Sequence, residues 1–543
     1  MNRVYFLYIL LVLCGTVQAG TYYVSPDGSD TSPYDTWEKA ATNISDVPFG
    51  ASNDVVYVGD GTYELASKLY ITNYVYIKGT NLPTVYCTLP GSIPVTVMNS
   101  YCENICFSNL SSWLDAVIVA GNSYFSNCVF KNKTSGTYQW VVASNSTVAS
   151  CYVSNNAYTA ASGGRYLFEL RGTDVYDCQF NNNTSVACGV IRVSTHNKPT
   201  SVSNCVFNNN IITGTGGSSV RGSCVCADSA GAVNTIIDCD FIGNTTTSTN
   251  SGNYYSAAPV VFSIIAKGVE GTNRVIRCLF SNNYISIENS ATIDIGAGSG
   301  SSNQWIDIDD CIFTHNTANS PNTWNAVMNI YSYTAGSNVN VRLTDCVFKN
   351  NYTKKYLIRF INYDDMRFYM ENCLIVSNLC DRQIIRQDQI VYPEYHQIKN
   401  CTIANNVDSD TNTSDYIYFR GQYKNIIYWN NDFYWHSGVT NVNYSCIDSN
   451  IGKGTGNITN NPRFASSTDL HLKSLEGTYV DGEWVRFTTL SPCIDAGDPA
   501  SEYINEPKPN GYRVNMGYYG NTAEASKSLN TNREPDEILI PNL

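Results

Sequence analysis

The chain has 543 residues, of which 43% are hydrophobic and only 15% charged, and 33 Lys and Arg against 46 Asp and Glu leave a net charge of −13. A typical globular chain is about 25% charged, and so acidic a chain lacks the basic face needed to displace nucleic-acid counterions, which excludes that partner. The 40 Tyr and 38 Gly, set among many Asn, Ser and Thr, predict β structure with frequent turns and exclude a disordered or helix-rich chain.

Asn2 and Arg3 precede an apolar run from Val4 to Cys14, and Val17-Gln18-Ala19 follows. A charged start, a short apolar run and a small-residue site read as a secretory signal over residues 1–19, cleaved after Ala19. The run is too short to span a membrane, and no later stretch reaches the roughly 18 apolar residues that a span needs. The mature chain is therefore expected to be secreted or at the cell surface. Next come Thr21-Tyr22-Tyr23-Val24-Ser25-Pro26-Asp27-Gly28-Ser29-Asp30 and, later, Asp54-Val55-Val56-Tyr57-Val58-Gly59-Asp60-Gly61-Thr62-Tyr63. Between them Thr36–Val47 reads as a short amphipathic helix, suited to cap the start of a solenoid.

From residue 125 to residue 406 one pattern returns ten times, centred on Cys128, Cys151, Cys178, Cys205, Cys239, Cys278, Cys311, Cys346, Cys373 and Cys401. An apolar residue stands two positions after each Cys (Phe130, Phe180, Phe207 and so on) and another three before it. Asn or Asp usually immediately precedes the Cys, and Asn pairs such as Asn182-Asn183, Asn209-Asn210 and Asn350-Asn351 follow. Units of this length cannot close their own core and must stack. A period of two on either side of a turn residue is a strand signature. The pattern predicts an all-β, single-stranded parallel β-helix with three short strands per turn and roughly twelve rungs, about 4.8 Å apart. Like residues should stack on like, with the bend asparagines bonding one another along the rod. The sequon Asn351-Tyr352-Thr353 is read as turn residues rather than a glycan acceptor.

An exported chain with 20 Cys invites disulfides. The repeated Cys, however, face inward on parallel strands, where the torsion is poor for bridging, so they read as buried free thiols that fill space. Cys87, Cys102, Cys106, Cys188, Cys224, Cys226, Cys380, Cys446 and Cys493 lie off the repeat and are the better disulfide candidates. Cys224-Val225-Cys226 lacks the His partners of a zinc site.

On these rungs the chain resembles the right-handed parallel β-helix proteins of the pectin lyase-like superfamily. The tail Ser491-Pro492-Cys493-Ile494-Asp495-Ala496-Gly497-Asp498-Pro499, with Asn515-Met516-Gly517-Tyr518-Tyr519-Gly520-Asn521-Thr522, resembles the choice-of-anchor Q region of bacterial surface β-helix proteins. The resemblance implies a polysaccharide site on the outer face of the strand stack upstream of each bend. Alternation there places Glu169, Arg192, Asp294, Asn329, Arg359 and Arg386 outward, with Tyr363 and Tyr392 near enough to stack on a sugar. Arg359 and Arg386 would clamp a uronate or sulfate, or else form a solvated stripe paired with Asp294, Asp364 or Asp365. Changing Arg359 and Arg386 together to Ala is expected to leave folding intact.

The family's Gly-His-Gly and Arg-Ile-Lys signatures are absent, and the Asp cluster through which lyase-type members bind calcium is not readable, so no metal or cofactor is assigned and calcium is left open. Asp309-Asp310 falls on the bend position and His315 on a turn position, and both read as structural. The expected divisions are 1–19 signal, 20–100 cap and first rungs, 101–460 repeats, 461–526 choice-of-anchor Q-like end and 527–543 tail, with irregular final rungs from Val407 to Thr459. The function read from this is an exported or cell-surface rod, monomeric, carbohydrate-contacting or adhesive, without a recognisable catalytic set. The alternative is a polysaccharide lyase or glycoside hydrolase acting on an anionic glycan.

Overall fold

A computed structural model describes residues 18–528 except 88–93, 111–116, 134–138, 159–165, 187–188, 195–197, 215–223, 231–233, 249–261, 268–270, 287–290, 298–303, 321–324, 333–338, 362–365, 389–392, 411–415, 418, 437 and 449–453. Residues 1–17 with Cys14, Cys188, Tyr363, Asp364, Asp365, Tyr392 and residues 529–543 lie outside the described residues.

The chain coils as a right-handed parallel β-helix. One rung shows the plan. Phe168–Arg171 leads through Gly172 into Asp174–Tyr176, bends at Asp177 into Gln179–Asn181, and turns at Asn182 into Thr184–Val186. Each strand pairs in parallel with its counterpart one rung away, which builds four long sheets. The first runs from Thr21–Val24 to Asn441–Asn443 with 16 strands, and the second from Thr62–Glu64 to Cys446–Ile447 with 15. The third has nine strands, from Ala157–Tyr158 to Val407–Asp408, and the fourth has 12, from Leu69–Ile71 to Gln383–Gln387. The expected three strands per turn thus become four wherever the third sheet is present. Its strands, as short as two residues, are too brief to leave a periodicity of their own. Sixteen strands at about 4.8 Å spacing make a rod roughly 70 Å long, longer than twelve rungs give.

Backbone conformation at the bend explains the repeat. All ten residues before the repeated Cys, including Ser150, Asp238 and Arg277, have φ of 48–56°. Asn and Asp tolerate this left-handed region best because their side chains bond locally. Arg277 is the outlier in residue type, and its guanidinium forms a two-bond pair with Asp238 one rung below, at 2.7 and 2.8 Å. Past each bend the Cys and Phe point inward. The rings of Phe180, Phe207, Phe241, Phe280, Phe313 and Phe348 stack with centroids 4.5–4.9 Å apart and planes within 9°.

The continuous asparagine ladder forms at the second turn; at the bend, asparagine makes scattered bonds between rungs, as from Asn425 Nδ2 to Asn400 Oδ1 at 3.0 Å. Asn156, Asn183, Asn210, Asn244, Asn283, Asn316, Asn351, Asn378, Asn406 and Asn431 stand in register. Each Nδ2 donates to the Oδ1 of the next at 2.8–3.1 Å. Each also donates to a strand carbonyl such as that of Phe241. Asn156 through Asn406 are at most 1% exposed. The residue preceding each takes the left-handed turn and faces out, as Asn182, His315 and Asn350 do. Asn351 is thus a buried ladder member, closed to glycan attachment once folded.

All 18 described cysteines are buried free thiols. That agrees with the reading of the ten repeat positions and corrects the disulfide expectation for Cys87, Cys102, Cys106, Cys224, Cys226, Cys380, Cys446 and Cys493. Repeat thiols donate to the carbonyl two residues back, as Cys311 does to Asp309 and Cys346 to Thr344. Burial pushes the Cys346 and Cys373 thiols well above their usual range, which suppresses the reactive thiolate.

Both ends of the coil are closed. The expected helix over Thr36–Val47 is instead one 3-10 turn, Ile44–Asp46, capped by the Asn43 side chain. The competing force is the open edge of the first sheet. Ala41 donates to Tyr23 O and accepts from Ser25 N, extending that sheet with one bridge. At the other end the rungs after Val407 continue irregularly, with Tyr423 and Tyr428 filling the interior against Ile398 and Ile403. The tail then crosses the outside of the second sheet, where Tyr518 N donates to Thr402 Oγ1 and Gly517 N to Asn425 O.

Asn283→Ala removes bonds to Asn244, Asn316 and Phe241 O at mid-ladder and should cost about 3 kcal/mol. Asn431→Ala at the ladder's end should cost about 1 kcal/mol. The shift of the urea midpoint at constant slope measures both.

Candidate functional site

The residues that alternation singles out prove to be one continuous outward column of the fourth sheet. Glu169 pairs with Arg192, Arg192 with Cys226, Cys226 with Ser263 and Ser263 with Asp294. Asp294 then pairs with Asn329, Asn329 with Arg359 and Arg359 with Arg386. Their neighbours Phe168, Leu170, Ile358 and Phe360 fill the interior. The column is not the solvated stripe that the alternation predicts. Glu169 and Arg359 are 6% exposed, Asp294 and Asn329 2%.

Two groups of charges divide the column. Glu169 accepts from Arg171 Nε at 3.0 Å, Gln139 Nε2 at 2.7 Å and Ser194 Oγ at 3.1 Å. Burial would raise its carboxyl, but the Arg171 bond and charge, with Arg192 and Ser194, hold it below the usual range. Farther along, Asp388 takes both arginines. Arg359 Nε donates to its Oδ2 at 2.7 Å and Arg386 Nε to its Oδ1 at 2.8 Å. Asp294 is not that bridging partner, and Asp364 and Asp365 lie outside the described residues. Asp388 stands two positions after Arg386, on the same face by the strand period, and extending the alternation by one step finds it.

Asp294 is the group with acid-donor character. Burial pushes its carboxyl well above the usual range, against a bond from Asn329 and the charge of Arg359. Burial also lowers the Arg359 guanidinium, opposed by Asp388. Of the other tempting motifs, Asp310 is a left-handed bend residue. Burial, then Asp310 and Asp307, raises its neighbour Asp309. His315 is an exposed turn residue bonded to Thr314 Oγ1 at 2.8 Å. Among the described residues no group of three or more His, Cys, Asp or Glu is placed to hold a metal ion, and no helix is long and apolar enough to cross a membrane.

The tail holds a second set of displaced acids. Burial raises Glu506 to about 8 although its Oε1 accepts from Asn515 N and Asn521 N, and Asp495 adds repulsion. Burial raises Asp495 to about 6 against the Ser528 hydroxyl and Arg513.

Two grooves lined by described residues lie away from the column. One of about 540 Å³ sits where residues 461–467 pass the last second-turn positions, with Trp429 and Phe464 in its wall. The other, about 510 Å³, includes Glu394, Arg420, Gln422 and Asn441 at the end of the first sheet.

No family model matches the chain, and no curated protein matches it. Among solved structures it is similar to a GH87 α-1,3-glucanase catalytic domain, at 12% identity and TM-score 0.34, over 70% of this chain and 61% of that one. It is similar to a mannuronic acid-specific polysaccharide family 6 lyase from human gut microbiota, at 12% identity and TM-score 0.35, over 67% and 82%. It is also similar to pectate lyase Pel9A, at 12% identity and TM-score 0.28, over 93% and 97%. The chain thus spans about 61% of the length of the glucanase domain it matches.

Arg359→Ala leaves a shielded carboxylate with one guanidinium fewer and should cost about 2–3 kcal/mol, where an exposed arginine would cost nothing. Asp388→Asn in the same chain should restore part of that loss, read as the urea midpoint. For the tail, the folded chain keeps the Glu506 proton to about pH 8 while the unfolded chain releases it near 4.5, so stability falls as pH rises through that window. Glu506→Gln should flatten the slope of melting temperature against pH between 5 and 8, measured by calorimetry.

Proposed function

We propose that the chain is an exported β-helix rod that contacts carbohydrate without cleaving it. The observation that carries this reading is the commitment of the column's charges to one another. A clamp for a uronate or sulfate needs a guanidinium edge turned toward the ligand, yet Arg359 and Arg386 share Asp388, and the Arg359 side chain is 7% exposed. Glu169 is held by Arg171 in the same manner. The leader-like start and the likeness of the tail to choice-of-anchor Q regions support export and a surface location.

A second reading, a glycoside hydrolase or polysaccharide lyase acting on an anionic glycan, is favoured by one feature. The Asp294 carboxyl, pushed well above its usual range by burial beside Asn329 and Arg359, has the character of a general acid.

Incubation with a panel of acidic and neutral polysaccharides separates the two. The rod should bind some of them on an array while releasing neither reducing ends nor unsaturated products. Product release that Asp294→Asn abolishes would establish the enzyme instead.

A further inference from the structure

We propose that the groove between the last second-turn residues and residues 461–467 is a binding site for a short stretch of neutral glycan. The proposal rests on the carbohydrate-contacting reading and assigns it a place on the rod. The groove's volume of about 540 Å³ lies in the roughly 300–1,000 Å³ range of small-ligand clefts.

Its wall combines an apolar platform with uncharged hydrogen-bonding groups. Trp429 and Phe464 are both half-buried and pack on the same small core formed by Ile427, Leu472 and Met516. That anchors each ring on one side and leaves the rest of it to the groove, the arrangement on which the C–H face of a pyranose stacks.

The polar groups are held by backbone geometry. Asn405 and Asn430 occupy left-handed turn positions with φ of 57° and 54°. Asn430 Nδ2 donates to Asn405 Oδ1 at 2.8 Å, and the Nδ2 of Asn405 has no partner among the described residues. Asn461 uses its Oδ1 to accept from Arg463 N at 2.7 Å and likewise leaves its Nδ2 open. Asp432 uses Oδ2 to accept from Asp408 N at 3.2 Å, and among the described residues its Oδ1 and the Ser467 hydroxyl have no partner. Open donors and open acceptors on one wall match hydroxyls, which both give and accept.

Charge sets the class of ligand. Asp432 is the one carboxylate in the lining and no Lys, Arg or His joins it, so phosphate, sulfate and uronate would meet repulsion without a counter-charge. A neutral hexose chain meets none. The groove also shares no residue with the fourth-sheet column.

The test uses the full chain and an array of neutral gluco-, galacto- and manno-oligosaccharides beside uronate-containing ones. Asp432→Ala and Asn461→Ala alter exposed side chains, and circular dichroism checks that they fold; Trp429→Ala removes the platform, and Arg386→Ala serves as a control in the distant column. The parent should retain a neutral oligosaccharide. Asp432→Ala and Trp429→Ala should each weaken it at least tenfold, Asn461→Ala severalfold, and Arg386→Ala not at all. Retention of a neutral glycan that Asp432→Ala and Trp429→Ala leave unchanged would overturn this placement while sparing the carbohydrate-contacting reading. No retention of any glycan would overturn both, and a preference for uronates lost with Arg386→Ala would move the site to the column.

Discussion

Two backbone positions in each rung, one at the bend and one at the second turn, adopt the same left-handed conformation from rung to rung, and everything else follows from that constraint. Because the chain reverses at the same points on every circuit, strands meet in register and each side chain is carried over its own kind. Phenylalanines then stack face to face, thiols fill a narrow inward column, and one buried amide binds the next. The register and the side chains support each other. A one-residue slip would turn every inward group outward and break the amide ladder at the same stroke.

This reciprocity explains how much of the architecture is visible in the bare sequence. A Cys flanked by an apolar residue three before and two after, repeated ten times, reports strand, bend and strand, and the left-handed φ values at Asn127, Asp177 and Asn400 bear that out. What escapes notice is whatever lacks a period. The third sheet has strands of two or three residues in many rungs, too short for alternation. The choice between two adjacent asparagines is also hidden. Asn182 and Asn183 are the same letter, yet one points out and the other in, and the buried member forms the ladder. At Thr36–Val47 local propensity speaks for helix, but an open sheet edge captures Ala41 first.

The candidate column shows the same limit in another form. Alternation correctly places Glu169, Arg192, Asp294, Asn329, Arg359 and Arg386 on one outward line. It reports direction, however, and direction is not exposure. An outward side chain meets water only where nothing lies over it, and that is a tertiary fact. The arginine pair therefore differs from its sequence-level reading in environment rather than in position. Burial turns two nearby guanidiniums from a ligand clamp into partners that require a shared counter-ion, and Asp388 supplies it. Asp294 has no such charge at bonding distance, and burial pushes its carboxyl well above the usual range.

The thiol column has a consequence for how such a rod would form wherever oxidants are present. In the finished coil the sulfurs are sealed away from oxidants and aligned too poorly to bridge. In the newly emerged chain the same sulfurs are all accessible, and any pair that couples leaves a crosslink the narrow interior has no room to hold. Maturation is therefore a race between coiling and oxidation, won when rungs zip up faster than stray bridges form. Burial of the sulfurs in the closed state then makes the victory permanent.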